Sequence, residues 1–252
     1  MQAVCCVPVS PMRAASSHRS EMVSQLLFGE MVTVLEKGDD NWIKIQCQFD
    51  NYEGWITQQH VTEPPYQHAP LHLTADWTNE ILFNNQPMHL SFGSELRGLV
   101  NGQAEWGKYN WSFKGNHLDP QHARRTEKNI LKIAFMFIST PYLWGGRSVF
   151  GIDCSGFTQV VFKSFGFPLL RDAYQQATQG ENVGFLQEAK VGDLAFFDNE
   201  EGKITHVGIL LNAHEIIHSS GKVRVDKIDT QGIVNVDSNE RTHRLRIIKR
   251  YF

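Results

Sequence analysis

No window of this chain reaches the roughly 18 uninterrupted apolar residues that a membrane-spanning helix needs. No run of Lys or Arg marks a surface for nucleic acid or anionic lipid. With 24 Lys and Arg against 27 Asp and Glu, the formal charge is -3, so neither partner has an electrostatic basis. Cysteine is scarce, with only Cys5, Cys6, Cys47 and Cys154 in 252 residues. Two are adjacent and none forms a CxxC pair, which excludes a disulfide framework and the usual zinc spacings. Nothing in the sequence calls for a metal or an organic cofactor. The segment Met1 to Pro8 has no Lys or Arg ahead of a short apolar run that Pro8 interrupts, a poor secretory signal. A cytoplasmic location is expected, with Cys5, Cys6 and Cys47 as small buried apolar residues in a reducing compartment.

What is present is globular material, 41% hydrophobic and 20% charged, enough for one large domain or two small ones. Period-two segments at 31–35, 42–45 and 54–56 predict strands. The turn-forming runs Lys37-Gly38-Asp39-Asp40-Asn41 and Asp50-Asn51-Tyr52-Glu53-Gly54 separate them, as in a small antiparallel barrel. The order Gly29-Glu30, strand, acidic turn, Trp42, strand, Gly54-Trp55-Ile56 resembles the bacterial SH3-like module. Thr62-Glu63-Pro64-Pro65-Tyr66 reads as a linker, giving a first domain over 1–66. Residues 67–118 carry strand-like pieces at 80–83, 88–92 and 109–113, either a β-rich connection or a degenerate second SH3-like unit. Beyond Asp119-Pro120, helical spacing from Ile130 to Ile138 opens a domain over 119–252. Its later segments, 193–197, 206–211, 215–219 and 245–248, predict strands. Helices followed by an antiparallel sheet make the fold class α+β.

The chemistry gathers around Asp153-Cys154-Ser155-Gly156. There a Gly- and aromatic-rich loop gives way to a helical pattern of Phe157, Val160, Val161, Phe162 and Phe165, stopped by Gly166 and Pro168. Cys154 falls in the first turn, where unpaired N–H groups and the helix dipole are expected to lower a thiol pKa from about 8.5 toward neutrality. A thiol at a helix start becomes a nucleophile when a histidine takes its proton and a third group orients that histidine. A hairpin centred near Asn212 would set His206 directly opposite His218 on one face, so His206 is assigned as general base and His218 as its orienter. The other histidines, among them His18, His60, His68, His72, His117 and His122, show no partner pattern and are given no role. Tyr142 is either an oxyanion donor or a wall residue. Asp153, and similarly Ser155, either caps the helix or holds a substrate ammonium. Arg171 and Asp172 either line the groove or are solvated.

These residues carry a resemblance. Pro141-Tyr142-Leu143-Trp144-Gly145-Gly146, Gly151 to Phe157, Arg171-Asp172 with Gln175-Gln176, Gly192-Asp193-Leu194, Thr205 to Ile209 and Ile217 to Gly221 resemble the NlpC-type papain-like cysteine peptidases over about 120–252. The resemblance implies an acyl-enzyme mechanism through Cys154, His206 and His218. It also implies cleavage between γ-D-glutamyl and Lys or meso-diaminopimelate in peptidoglycan stem peptides. An SH3-like module before such a domain resembles the branch that trims recycled peptides with a free N-terminal L-Ala, where the module walls off one end of the groove. On that resemblance Asp153 and Ser155 match positions at the substrate's amino end, and Glu21 and Tyr52 are candidates to complete the amine pocket. Relatives often carry Ser where this chain has Ala173. The same Cys–His pair also suits an amidase or acyltransferase on another amide. A peptidoglycan-fragment binding protein with a decayed site is a further alternative, against which the intact Cys154, His206 and His218 argue.

Overall fold

Alternating side chains in the first 62 residues fold as antiparallel strands in the computed structural model, which describes residues 1–65 and 70–252. β1 (Gln2–Cys5), β2 (Val9–Arg13), β3 (Met22–Leu27), β4 (Met31–Lys37), β5 (Trp42–Cys47), β6 (Glu53–Thr57) and β7 (Val61–Thr62) pair in the order β3-β2-β6-β5-β4-β1-β7. In β5 the buried Ile43, Ile45 and Cys47 alternate with half-buried Lys44 and Gln46. The inward residues join Ala3, Cys5, Met12, Leu26, Val32 and Ile56 in one apolar core. Cys5, Cys6 and Cys47 are all buried and free.

The next segment holds β8 (Leu73–Thr74), β9 (Thr78–Phe83), β10 (Gln86–Ser91), β11 (Gln103–Trp106), β12 (Tyr109–Phe113) and β13 (His117–Leu118). A four-stranded sheet runs β10-β9-β12-β11. Its first hairpin turns through Asn84 and Asn85 at φ 48° and 63°, the left-handed region that Asn tolerates. Ile81, Leu90, Trp106, Trp111 and Phe113 share their core with Val4, Cys6 and Phe28 of the earlier strands. All of this belongs to one unit, Met1–Ala123, which also includes Trp144–Phe150, with β14 (Arg147–Ser148), and Lys163–Pro168. Two stretches of the expected peptidase region therefore fold with the first unit. The boundary expected at residues 66 and 67, and His68, lie outside the described residues.

The second unit comprises Arg124–Leu143, Gly151–Phe162 and Leu169–Phe252. Thr126 caps α1 (Glu127–Met136), its hydroxyl accepting from the Asn129 N–H at 3.3 Å. β15 (Gly151–Ile152), α2 (Cys154–Lys163, its last residue counted with the first unit) and α3 (Ala173–Gln176) follow. Then come β16 (Glu181–Val183), β17 (Leu194–Asp198), β18 (Ile204–Leu210), β19 (Glu215–Ser220), β20 (Lys222–Asp229), β21 (Gly232–Val234) and β22 (Arg241–Arg250). They pair in the order β16-β22-β17-β18-β19-β20-β21, and β21 pairs back onto β22, so the sheet closes into a ring. β22 can close it because its ten residues offer β21 one half of an edge and β16 the other. Ala195, Phe197, Leu210, Ile216, Ile228, Ile233 and Ile248 form the apolar cluster of this sheet.

The first unit buries charge as well as apolar surface. Glu30 is fully buried, and its carboxylate accepts from Arg147 Nη1 and Nη2, each at 2.9 Å, and from Lys163 Nζ at 2.7 Å. Lys163 also pairs with buried Glu95 at 2.9 Å. Burial alone would raise the Glu30 pKa, but Arg147 and then Lys163 outweigh it and hold the group at about 2. This carboxylate thereby fastens both inserted stretches of chain. Removing one partner of a buried pair strands the other charge at a cost of about 3–5 kcal/mol. Glu30→Ala is expected to lower unfolding stability by about that amount in urea titrations; a loss of about 1 kcal/mol or less, typical of exposed pairs, would contradict the account.

Candidate active site

Cys154 is the first residue of α2, and Asp153 just before it caps the helix: its Oδ1 accepts from the Gly156 N–H at 2.7 Å and its carbonyl from the Phe157 N–H at 2.9 Å. Arg171 Nη2 donates to Asp153 Oδ2 at 2.6 Å, and Arg171 Nη1 to Ser155 Oγ at 2.9 Å. Arg171 is buried, so the reading of it as solvated is corrected: Asp153 gives it an anionic partner in the interior. Both carboxylate oxygens of Asp153 are engaged within the protein, in the helix cap and with Arg171. Gln176 extends the bracket. Its Nε2 donates to the Ser155 carbonyl at 3.0 Å and its Oε1 accepts from Thr158 Oγ1 at 2.8 Å. Asp172 opens α3 in a reciprocal capping box with Gln175.

β18 and β19 form the expected hairpin, but in a different register. His218 stands opposite Gly208, not His206, and Ile209 faces Ile217. The turn is centred one residue later than expected, because Asn212 Oδ1 accepts from the His214 N–H at 2.7 Å while the Leu211 N–H bonds the Glu215 carbonyl at 3.0 Å. A displacement of two positions along a strand preserves the face, so both imidazoles still point the same way. Gly208 makes the diagonal contact possible: a Cβ there would lie 2.8 Å from the His218 Cβ. With that space open, His206 Nε2 comes within 2.8 Å of His218 Nδ1.

The chain of groups continues to a residue that sequence reading missed. His218 Nε2 lies 2.9 Å from Asp226 Oδ2 on β20, and Asp226 Oδ1 accepts from Arg224 Nη2 and the Val236 N–H, each at 2.9 Å. Burial would raise the Asp226 pKa, but the His218 hydrogen bond and the other donors bring it to about 2. A carboxylate only accepts, so His218 must donate from Nε2 and accept at Nδ1. His206 then carries its proton on Nε2, leaving the Nδ1 lone pair as the basic site. The tautomers follow from this network. A second missed residue is His243 on β22, whose ring stacks on His206 with centroids 4.1 Å apart.

The resting protonation state departs from the sequence expectation. Burial, and then the charge of Asp153, push the Cys154 thiol up to about 12, outweighing the Val207 and Ser155 backbone hydrogen bonds and Arg171. The helix start is present, but a site 7% exposed desolvates the thiolate more than the helix end favours it. Burial, then His218 and His243, hold His206 well below the ordinary histidine range. Thiol and imidazole are thus both neutral before substrate arrives. Tyr142 is half-buried, with its backbone bridged to Ile152. Burial raises its phenol pKa and keeps it protonated and able to donate. Glu21 and Tyr52 lie in the first unit. Glu21 Oε1 accepts from the exposed Trp144 Nε1 at 2.7 Å, and half-buried Tyr52 packs on the core of the first sheet.

Residues 139–240 match the NlpC/P60 family, and residues 12–61 match the bacterial dipeptidyl-peptidase SH3 domain. The chain is 31% identical over 215 residues to the γ-D-glutamyl-L-lysine dipeptidyl-peptidase of Bacillus subtilis, covering 78% of this chain and 71% of that one. The chain belongs to the NlpC/P60 family. Dipeptidyl-peptidase 6 of Lysinibacillus sphaericus is 24% identical over 92% of this chain and 93% of its own. The crystal structure of an NlpC/P60 family protein from Bacillus cereus has the same fold, with TM-score 0.85 at 20% identity, covering 100% of this chain and 99% of that one. This NlpC/P60 protein is a cysteine peptidase, with an SH3-like β region preceding an α+β peptidase region.

In this peptidase, Asp226→Asn would offer His218 an N–H, reverse the donor order and leave His206 Nδ1 protonated. A kcat loss of about 10²–10⁴ with folding intact is expected, by analogy with other wrong-tautomer variants; wild-type kcat would refute the assignment. With the thiol pKa raised, no thiolate absorbance at 240 nm should distinguish wild type from Cys154→Ala between about pH 5 and 8. A difference step with a midpoint below about pH 7 would show an ion pair at rest instead.

Proposed function

We propose that this peptidase hydrolyses the amide between γ-D-glutamyl and an L-diamino acid, Lys or meso-diaminopimelate, in short peptidoglycan stem peptides with a free N-terminal L-Ala. The observation that carries the reading is the alignment of most of the chain with an enzyme named for the γ-D-glutamyl-L-lysine bond, beside the match of residues 12–61 to the bacterial dipeptidyl-peptidase SH3 domain. In this mechanism Cys154 Sγ attacks the amide carbonyl carbon while His206 Nδ1 takes the thiol proton. The Cys154 backbone N–H and the Tyr142 hydroxyl supply donors to the oxyanion. Collapse expels the diamino acid, whose nitrogen receives the proton from His206, and leaves a thioester on Cys154. Water then attacks the thioester, His206 again takes and returns a proton, and L-Ala-γ-D-Glu departs. His218 and Asp226 hold His206 in the accepting tautomer whenever it is neutral. The candidates for recognising the free amine in this reading are Asp153 and Ser155, with Glu21 and Tyr52.

Mass spectrometry of L-Ala-γ-D-Glu-L-Lys and its diaminopimelate analogue is expected to detect L-Ala-γ-D-Glu with wild type and not with Cys154→Ala. Acetylating the L-Ala nitrogen should suppress cleavage. Both peptides intact after incubation with folded wild type would overturn the substrate assignment.

A further inference from the structure

We propose that His243 is a positioning residue that fixes the ring plane of His206. The hydrogen bond from His206 Nε2 to His218 constrains one point of the imidazole. A ring held at one point can still rock about that contact, and rocking redirects Nδ1, the atom that takes the thiol proton in the proposed mechanism. The groups around it supply the missing constraint. His243 lies over His206 with centroids 4.1 Å apart and planes inclined by 29°, while Phe197, directly opposite His206 in the β17–β18 pairing, approaches with centroids 5.7 Å apart. His206 is thereby contacted from three strands, β22, β17 and β19.

His243 is itself held firmly enough for this task. It pairs with Ile233 across the β21–β22 closure. Its Nδ1 lies 2.8 Å from Thr242 Oγ1, and Phe197 meets its ring edge-on at 5.9 Å. Its outer side borders an open groove of about 730 Å³ that also touches Thr230 and Arg241. A proton relay fits the geometry less well. Rings stacked face to face do not aim either N–H at the other's nitrogen, and the His243–His218 rings sit at 88° with centroids 5.8 Å apart. A flat ring that stays uncharged is what the position uses. Burial, and then His218, lower the His243 pKa to about 4, so the ring adds no charge beside the imidazolium that His206 becomes during turnover.

The test compares His243→Phe, His243→Leu and His243→Ala. Phe keeps a flat ring without ionisable nitrogen, Leu keeps volume without a ring, and Ala keeps neither. On the tripeptide, Leu and Ala are expected to lose about tenfold in kcat with KM within about twofold, and Phe to stay within about threefold of wild type. The rate of Cys154 alkylation by iodoacetamide at pH 7.5 is expected to follow the same order. That readout needs no peptide, so it separates failure of this proposal from failure of the substrate assignment. Phe as slow as Ala would show that the nitrogens matter, and Leu as fast as Phe would show that filling space suffices; either result overturns the proposal. If His243→Ala does not fold, the Phe–Leu pair still decides.

Discussion

The hydrogen bond between His218 and Asp226, 2.9 Å long and shut off from solvent, sets every proton upstream of it. Because a carboxylate cannot donate, each imidazole in turn has one permitted tautomer, and His206 keeps its lone pair on Nδ1. A hydrogen-bonded chain in a low-dielectric interior is stronger than its links in water, and costlier to leave incomplete. The surroundings fit that requirement: Arg224 and the Val236 N–H occupy the other oxygen of Asp226, Gly208 leaves room for the His218 ring, and β22 lays His243 against His206.

Burial works on this site in two directions. It depresses His206 and raises Cys154, so the pair rests without charge and separates charge only as the carbonyl is attacked. The acceptor chain from His206 through His218 to Asp226 is in place beforehand, which is how preorganised dipoles lower a barrier. Around Glu30 burial has the opposite outcome. Two cations arrive with the carboxylate, and the ionised form survives in the interior. Cys154 and His206 stay neutral while Glu30 stays ionised, and the difference is whether opposite charge is built in within hydrogen-bonding distance.

What could be read from the sequence was local or periodic. Cys154 stood out because its loop, its helix and the Gly166 stop are contiguous. His206 and His218 could be linked because strand parity survives an error of register, although the turn at Asn212 displaced the actual pairing by two positions. Asp226 and His243 gave no comparable sign. Asp226 lies in a charged, alternating segment that does not look apolar enough for a buried strand, and His243 reaches His206 only because the sheet closes on itself. Arg171 looked exposed because its partner, Asp153, is 18 residues away in sequence. Side chains brought together by sheet closure or by long-range ion pairing leave no period in a single sequence.

The closing strand also orders events in time. Residues 241–250 leave the ribosome after Cys154, His206, His218 and Asp226, and they supply both edges that complete the ring. A nascent chain halted before residue 241 therefore carries Cys154, His206, His218 and Asp226 without the strand that closes the sheet. Domains fold as units during synthesis, and pairings distant in sequence form slowly. Completion of the ring in this peptidase thus waits on residues 241–250, a delay written into the order of its strands.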